Sequence, residues 1–224
     1  MDWQAIWLTV RLAALVSAIL LIISLPLAHW LTFSRRRWTF LVESVVSLPL
    51  VLPPTVLGFY LLMAMGTRSP LGRWWTTFTG HSLAFTFEGL VIASVFYSLP
   101  FAVQPIAAAF AQVDGSLQEA SATLGAGRLR TFLRVTLPLS IEGVIAGIVL
   151  SFAHTVGEFG VVLMVGGSIP GVTRTVSIAV YDHVQALQYD AANQTALAML
   201  AFSMAVLIVV YGLRRRPWAA APTA

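Results

Sequence analysis

Five long apolar runs divide the chain. Residues 12–33, 44–67, 89–113 and 191–213 contain no Asp, Glu, Lys or Arg, and residues 143–167 contain only Glu158. At 1.5 Å per helical residue, each run is long enough to cross the ~30 Å hydrocarbon core of a bilayer. The pattern therefore predicts five membrane-spanning helices. Asp2, rather than a basic cluster, precedes the first run, and that run exceeds the apolar core of a cleaved leader, so it is expected to stay in the mature protein.

The charges between the runs give the expected orientation. Arg35, Arg36 and Arg37 follow the first run, Arg128, Arg130 and Arg134 lie between the third and fourth, and Arg214, Arg215 and Arg216 follow the fifth. With five spans these nine fall on one side, against Arg11, Arg68, Arg73 and Arg174 on the other, so the positive-inside rule puts the N-terminus outside and the C-terminus in the cytoplasm. Trp3, Trp7, Trp30, Trp38, Trp74, Trp75 and Trp218 all flank the runs, as interfacial belts require. Residues 176–190 are helix-permissive and moderately apolar but carry Asp182, His183 and Asp190; they predict an extracytoplasmic or re-entrant helix, or a sixth span. Residues 1–216 read as one transmembrane domain without internal repeats, followed by a disordered tail, 217–224.

Composition narrows the function. At 58% hydrophobic and 10% charged, 224 residues hold more apolar surface than a soluble domain of that size buries. There is no cysteine, which excludes disulfides, thiolate metal sites and cysteine nucleophiles. All 13 basic residues are arginine; without lysine there is no P-loop, so no cofactor is expected on this chain and any ATP would be used by a partner. The arginines cluster beside apolar runs rather than along one helix face, which argues against nucleic acid as a partner and leaves membrane lipid. His29, His81, His154 and His183 are isolated, with no pair at metal-ligand spacing, and His154 reads as a packing residue first and a pathway-lining one second.

The longest connection on the cytoplasmic side, 114–138, has its own pattern. Ser116 and Glu119 have capping-box spacing, so a short helix is expected from about Leu117, with Leu117, Ser121 and Leu124 on one face. Gly125 and Gly127 permit the left-handed backbone that ends it. A second helix from about Arg128 would place Leu129, Phe132 and Leu133 on one side, and Pro138 closes the pattern. On spacing alone this is a structured loop whose arginines fix topology.

The stretch "EASATLGAGRLRTFLRVTLP" resembles the cytoplasmic loop signature of ABC-importer permeases: Glu-Ala-Ala, three residues, Gly, nine residues, Ile, one residue, Leu-Pro. Glu119, Ala120, Gly125, Leu137 and Pro138 match at every spacing, while Ser121 and Val135 stand for alanine and isoleucine. The resemblance implies an all-α permease bundle whose loop docks in a groove on a separate ATPase subunit. Leu117, Ala120, Ser121 and Leu124 would then supply the docking face and Gly125 the angle between two short helices. Glu119 would cap its own helix or pair with a basic residue of the ATPase.

Further stretches bear on what is carried. Pro49, Pro53 and Pro54 cannot share one regular helix, so the second span should break near mid-membrane. A half-helix restarting at Thr55 would aim amide groups and a positive dipole end into a sheltered cavity, which attracts an oxyanion. Pro100 and Pro105 could line the same path. No arginine lies deep in a span, and hydroxyls suit transit of an anion: Thr55, Ser94, Ser98, Ser151 and Thr155 are candidates, each also able to bond its own helix. Glu158 costs roughly 2.5 to 3.5 kcal/mol within a span and repels an anion, so a structural or gating role is expected, with protonation or an arginine partner as the ways to hold it. Arg174 could pair with it or meet an incoming binding protein.

"LPLVLPPTVLGFYLL", "GEFG" and "IPGVTRT" resemble the molybdate branch of these permeases. That resemblance implies a homodimer, two ATP-binding cassette subunits, an extracytoplasmic oxyanion-binding protein, and a bacterial inner membrane. The chain would not itself be an enzyme. Sulfate or another oxyanion is the nearest alternative cargo, with tungstate almost isosteric with molybdate. A proton-coupled carrier would need Glu158, and a membrane-embedded enzyme would need a convergent nucleophile and base, a pattern not visible here.

Overall fold

The structure, a computed structural model, describes residues 2–34 and 36–213; Arg35, the Arg214–Arg216 cluster, Trp218 and the expected disordered tail lie outside them. Helices joined by short turns and loops make up the described residues, and no strand occurs among them. Helix α1 (Trp3–Phe33) is capped by Asp2, whose side chain accepts the Ala5 amide, and α5 (Phe87–Ala111) by Thr86, which accepts the Gly89 amide. Both run unbroken through the bundle even though α1 contains Pro26 and α5 contains Pro100 and Pro105. Helix α12 (Tyr189–Leu213) is the third continuous crossing.

The other two apolar runs are broken. The second consists of α2 (Thr39–Val51) and α3 (Pro54–Met65), bent by 114°. The fourth run is α9 (Ile141–Gly157) followed, after an extended Glu158, by α10 (Gly160–Gly166). Among the described residues three helices are long and apolar enough to span a membrane by themselves, and five units are if α2 with α3, and Arg128–Leu139 with α9, are each counted as one bent crossing. Helix α11 (Val176–Gln185) has 10 residues, about 15 Å, and so is too short to be a sixth span.

The core forms where α1, α5 and α9 meet. Leu8, Leu12, Val16 and Leu20 repeat every four residues down one face of α1 and pack against Leu90, Val91 and Val162. A second cluster joins Ala28, Val103, Ile106, Phe110 and Val144, and a third ties Met65 and Leu83 to Val161 and Val165 of α10. Lipid offers no hydrophobic drive between helices, so close approach of small residues matters. Gly143 and Gly147, one helical turn apart, provide it: a Cβ on Gly143 would strike Ala109, and one on Gly147 would lie 2.8 Å from the Ala102 carbonyl.

Helix α4 (Pro70–Thr79) folds back on the end of α3, capped by Ser69 at its start and by Gly80 in the left-handed region at its end. Between α5 and α9 lie α6 (Gly115–Thr123), α7 (Arg128–Thr131), a π turn (Phe132–Thr136) and α8 (Leu137–Leu139). A 73° bend at Ser140 separates this assembly from α9.

Candidate functional site

The two helix breaks meet. Pro53 is the N-cap of α3 and Pro54 its first residue, one position before the expected restart at Thr55. Gly160, the first residue of α10, packs on Pro54 so closely that an added Cβ would lie 2.6 Å from the Pro54 Cβ. Beside this contact is a cavity of about 500 Å³, lined by Pro54, Thr55, Tyr97, His154, Gly157, Glu158 and Phe159, among others.

Two half-helices begin at the cavity, but the start of α3 presents fewer donors than expected. The amides of Val56 and Leu57 already donate to the Pro53 carbonyl at 2.9 and 3.2 Å, and Pro54 has no amide hydrogen. The Thr55 amide is what remains at that end. Its exposed side chain adds a hydroxyl.

His154 is held by a chain of hydroxyls. Thr155 Oγ1 donates to the Ser151 carbonyl at 2.8 Å; Ser98 Oγ lies 3.0 Å from Thr155 Oγ1 and 2.9 Å from His154 Nδ1. Thr155 has spent its one hydrogen, so Ser98 donates to Thr155, and the hydrogen between Ser98 and the ring belongs to Nδ1. Nε2 is left as the ring's remaining polar atom. Phe101 stacks on the imidazole at 3.9 Å between centroids and Tyr97 lies at 4.9 Å. Sequence reasoning put packing first for His154. The ring does pack, but it also lines the cavity, as do Tyr97 and Phe159, for which the sequence carried no signal.

Glu158 is 5% exposed and neither carboxyl oxygen has a hydrogen-bond partner. The amides of Val161 and Val162, in the first turn of α10, face it without closing full hydrogen bonds. The arginine partner considered for it is not there: Arg174 Nε lies 3.1 Å from Asp182 and its guanidinium 3.6 Å from Asp2. Asp182 also accepts from Ser168 at 2.6 Å, so Arg174 ties the chain start, the loop after α10 and α11 together, away from the cavity.

The remaining hydroxyl candidates turn inward. Ser151 donates to Ile148 within its own helix, Thr155 is buried, and Ser94 is buried without a partner, so none of the three lines the cavity.

At the far end of α5 and α9, the loop differs from expectation in detail. Asp114, not Ser116, caps α6: its carboxylate accepts the Ser116 amide at 2.9 Å and is held below the usual carboxylate range by that bond. The helix therefore starts at Gly115. Leu117, Ala120 and Leu124 are exposed, Leu124 at 88%, while Ser121 turns toward α7 and shares a 2.9 Å hydrogen bond with Thr131. Glu119 is exposed, with no ion pair among the described residues. Gly125 has φ +79°, as the hinge requires, whereas Gly127 is extended and caps α7. Leu129 and Leu133 are exposed, but Phe132 packs into the bundle against His29 and Phe110, so the expected common side does not exist. Leu137 and Pro138 sit in α8, and the helical path ends two residues past Pro138, at Ser140.

Comparisons agree with this architecture. Residues 20–216 match the family described as binding-protein-dependent transport system inner membrane component. The chain is 51% identical over 215 residues to the molybdenum transport system permease protein ModB of Azotobacter vinelandii, covering 96% of this chain and 95% of that one. It is 38% identical to its Escherichia coli K12 counterpart, over 96% and 94% of the two chains. A bacterial ABC transporter involved in the import of the acidic polysaccharide alginate superposes with a TM-score of 0.76 at 16% identity, covering 95% of this chain and 78% of that one, a likeness of fold. Two helix breaks meeting at one cavity, an apolar bundle and a loop ending in Leu137 and Pro138 thus stand in a chain that belongs to the binding-protein-dependent transport system inner membrane components.

Proposed function

We propose that this chain is the membrane-spanning permease subunit of an ATP-driven molybdate importer, accepting tungstate as well, in a bacterial inner membrane. Two copies form the translocation unit with two separate ATPase subunits, and an extracytoplasmic binding protein delivers the oxyanion. The observation that carries this reading is the 51% identity with a molybdenum transport permease across 96% of the chain, in a sequence that also keeps the Glu119-to-Pro138 loop spacing. The chain has no lysine for a P-loop, so ATP is hydrolysed by the partner and no cofactor is held here.

The exposed residues Leu117, Ala120 and Leu124 suit docking on the ATPase, with Gly125 fixing the turn behind them. Closure of the ATPases on ATP draws the two loops together and opens the bundle outward. The cavity between α3, α5 and the α9–α10 break suits passage of a tetrahedral anion: it offers a hydroxyl, an amide and an imidazole, and no fixed cation that would trap a dianion. Glu158 at its wall serves as a structural or gating group.

The test is molybdate uptake into vesicles containing this chain, with and without the ATPase and binding protein, at fixed internal ATP and with sulfate as competitor. Uptake that needs all three components and resists excess sulfate supports the proposal. Efficient competition by sulfate would reassign the cargo, and uptake by this chain alone under a pH gradient would overturn the ATP-driven mechanism.

A further inference from the structure

Helix α4 has an apolar stripe that the bundle does not use. Leu71, Trp74 and Phe78 are 48%, 59% and 73% exposed. At 100° per residue they fall within about 60° of arc. The rings of Trp74 and Phe78 pack against each other, 5.1 Å between centroids and tilted by 57°. A neighbouring flank faces the protein: Trp75 packs with Met65 and Leu83, and Gly72 lies against the backbone of Gly66 and Met65 so tightly that a Cβ there would overlap the Gly66 carbonyl. The side opposite that contact carries Arg73 and Thr77, both exposed.

Three directions follow from this. Helix α4 caps the tip of α3, so the Gly72 side points back along that span and the Arg73 side points away from the membrane, into water. The apolar stripe then points sideways, in the plane of the bilayer surface. It continues the exposed apolar surface of α3, where Phe59, Tyr60 and Met63 are all exposed. A helix this short would not hold such a posture unaided, but Ser69 both caps the Gly72 amide and donates to the Ala64 carbonyl, locking the corner.

We infer that α4 is an interfacial anchor, lying in the headgroup region with Leu71, Trp74 and Phe78 among the lipid chains and Arg73 toward water. The occupant of the stripe is lipid. A soluble partner approaching from outside would meet the polar Arg73 and Thr77 side first. Tryptophan and phenylalanine above a span, with arginine on the opposite face, match the chemistry of the bilayer boundary. The inference rests on the membrane reading; the arginine count adds that the leaflet is the extracytoplasmic one. Its consequence is mechanical: the corner between α3 and α4 is held at a fixed depth, and α3 begins at the Pro54–Gly160 contact, so the anchor sets the level of the break.

The cysteine-free sequence allows a direct test. Leu71→Cys, Phe78→Cys and Thr77→Cys are spin-labelled singly in the full permease–ATPase complex in nanodiscs of phosphatidylethanolamine and phosphatidylglycerol, and accessibility to oxygen and to a water-soluble nickel chelate is compared. The oxygen-to-nickel ratio is expected to be several-fold higher at 71 and 78 than at 77. Positions 71 and 78 open to nickel would overturn the inference in favour of a water-facing patch. Shielding of both positions from both reagents would overturn it in favour of a second copy of the chain. Uptake measured on the same labelled complexes keeps a failure of the transport reading distinct from a failure of the anchor.

Discussion

Gly160 sits against Pro54 with no room for a methyl group between them: a Cβ at 160 would lie 2.6 Å from the Cβ of the proline. Each residue starts a half-helix, and each half-helix starts where its own span breaks. The contact therefore fixes two interruptions relative to one another, although 106 residues separate them in sequence.

Gly160→Ala is expected to push the α3 and α10 starts apart, an overpacking cost of ~1–3 kcal/mol. Gly157→Ala, at a position where an added Cβ meets nothing within 4 Å, is the control. Thermal inactivation of the purified complex should shift to lower temperature for the first variant and stay unchanged for the second. Equal behaviour of the two would mean that the contact is not tight.

At Gly125 the constraint is conformational rather than spatial. Its φ of +79° is unfavourable for a side chain by roughly 1–2 kcal/mol, while the surroundings are open. Gly125→Val should leave the protein inserted and assembled but loosen the link between ATP hydrolysis and uptake, and Gly125→Asn should be milder. Parallel ATPase and uptake measurements check this; unchanged uptake by the valine variant would count against the docking role.

Glu158→Gln keeps the shape of the group and removes its charge. Uptake is expected to remain largely intact, because both oxygens lack partners and nothing depends on an ion pair there. Glu158→Ala should be worse, since it empties part of the cavity wall. Complete loss in the glutamine variant with normal assembly would point to proton coupling.

The cap at Asp114 predicts a pH response. Its carboxyl is held below the ordinary range by the Ser116 amide, so folding favours the ionised form. The stabilisation of α6 is therefore fully present above about pH 4, the unfolded carboxylate value, and is lost as pH falls through the lower folded value. Protection of the Ser116 amide from hydrogen exchange, corrected for the intrinsic rate, should drop on acidification. In Asp114→Asn the protection should persist without that pH dependence, and in Asp114→Ala it should be absent throughout.

Where the sequence carried a local constraint, the structure could be anticipated. Proline removes a donor and crowds the preceding turn wherever it stands, so the break at Pro53 and Pro54 was legible, as was the turn at Gly125. The break at Glu158 was not, because no proline marks it: two glycines flank an acidic residue, a pattern equally compatible with a continuous helix. Gly143 and Gly147 had the small-residue spacing of a close helix crossing but gave no sign of which helix they would meet. The partners of Arg174 lie 172 residues upstream and 8 residues downstream, and charge alone does not choose among Asp2, Asp182 and Glu158. For the cap of α6, Asp114 and Ser116 were both chemically able. The chain chose the one whose oxygen reaches the Ser116 amide.

The π turn at Phe132–Thr136, closed by the Leu137 amide on the Phe132 carbonyl, gives the connection a phase. A π turn accommodates one more residue than the α-helix it interrupts, and one residue corresponds to about 100° of rotation. Everything upstream of it, including Leu117 and Leu124, is thereby indexed to α9 by a residue count. Deleting a single residue there would leave the loop intact but facing another quarter of the compass, which makes the orientation of those exposed leucines a discrete quantity rather than a continuously adjustable one.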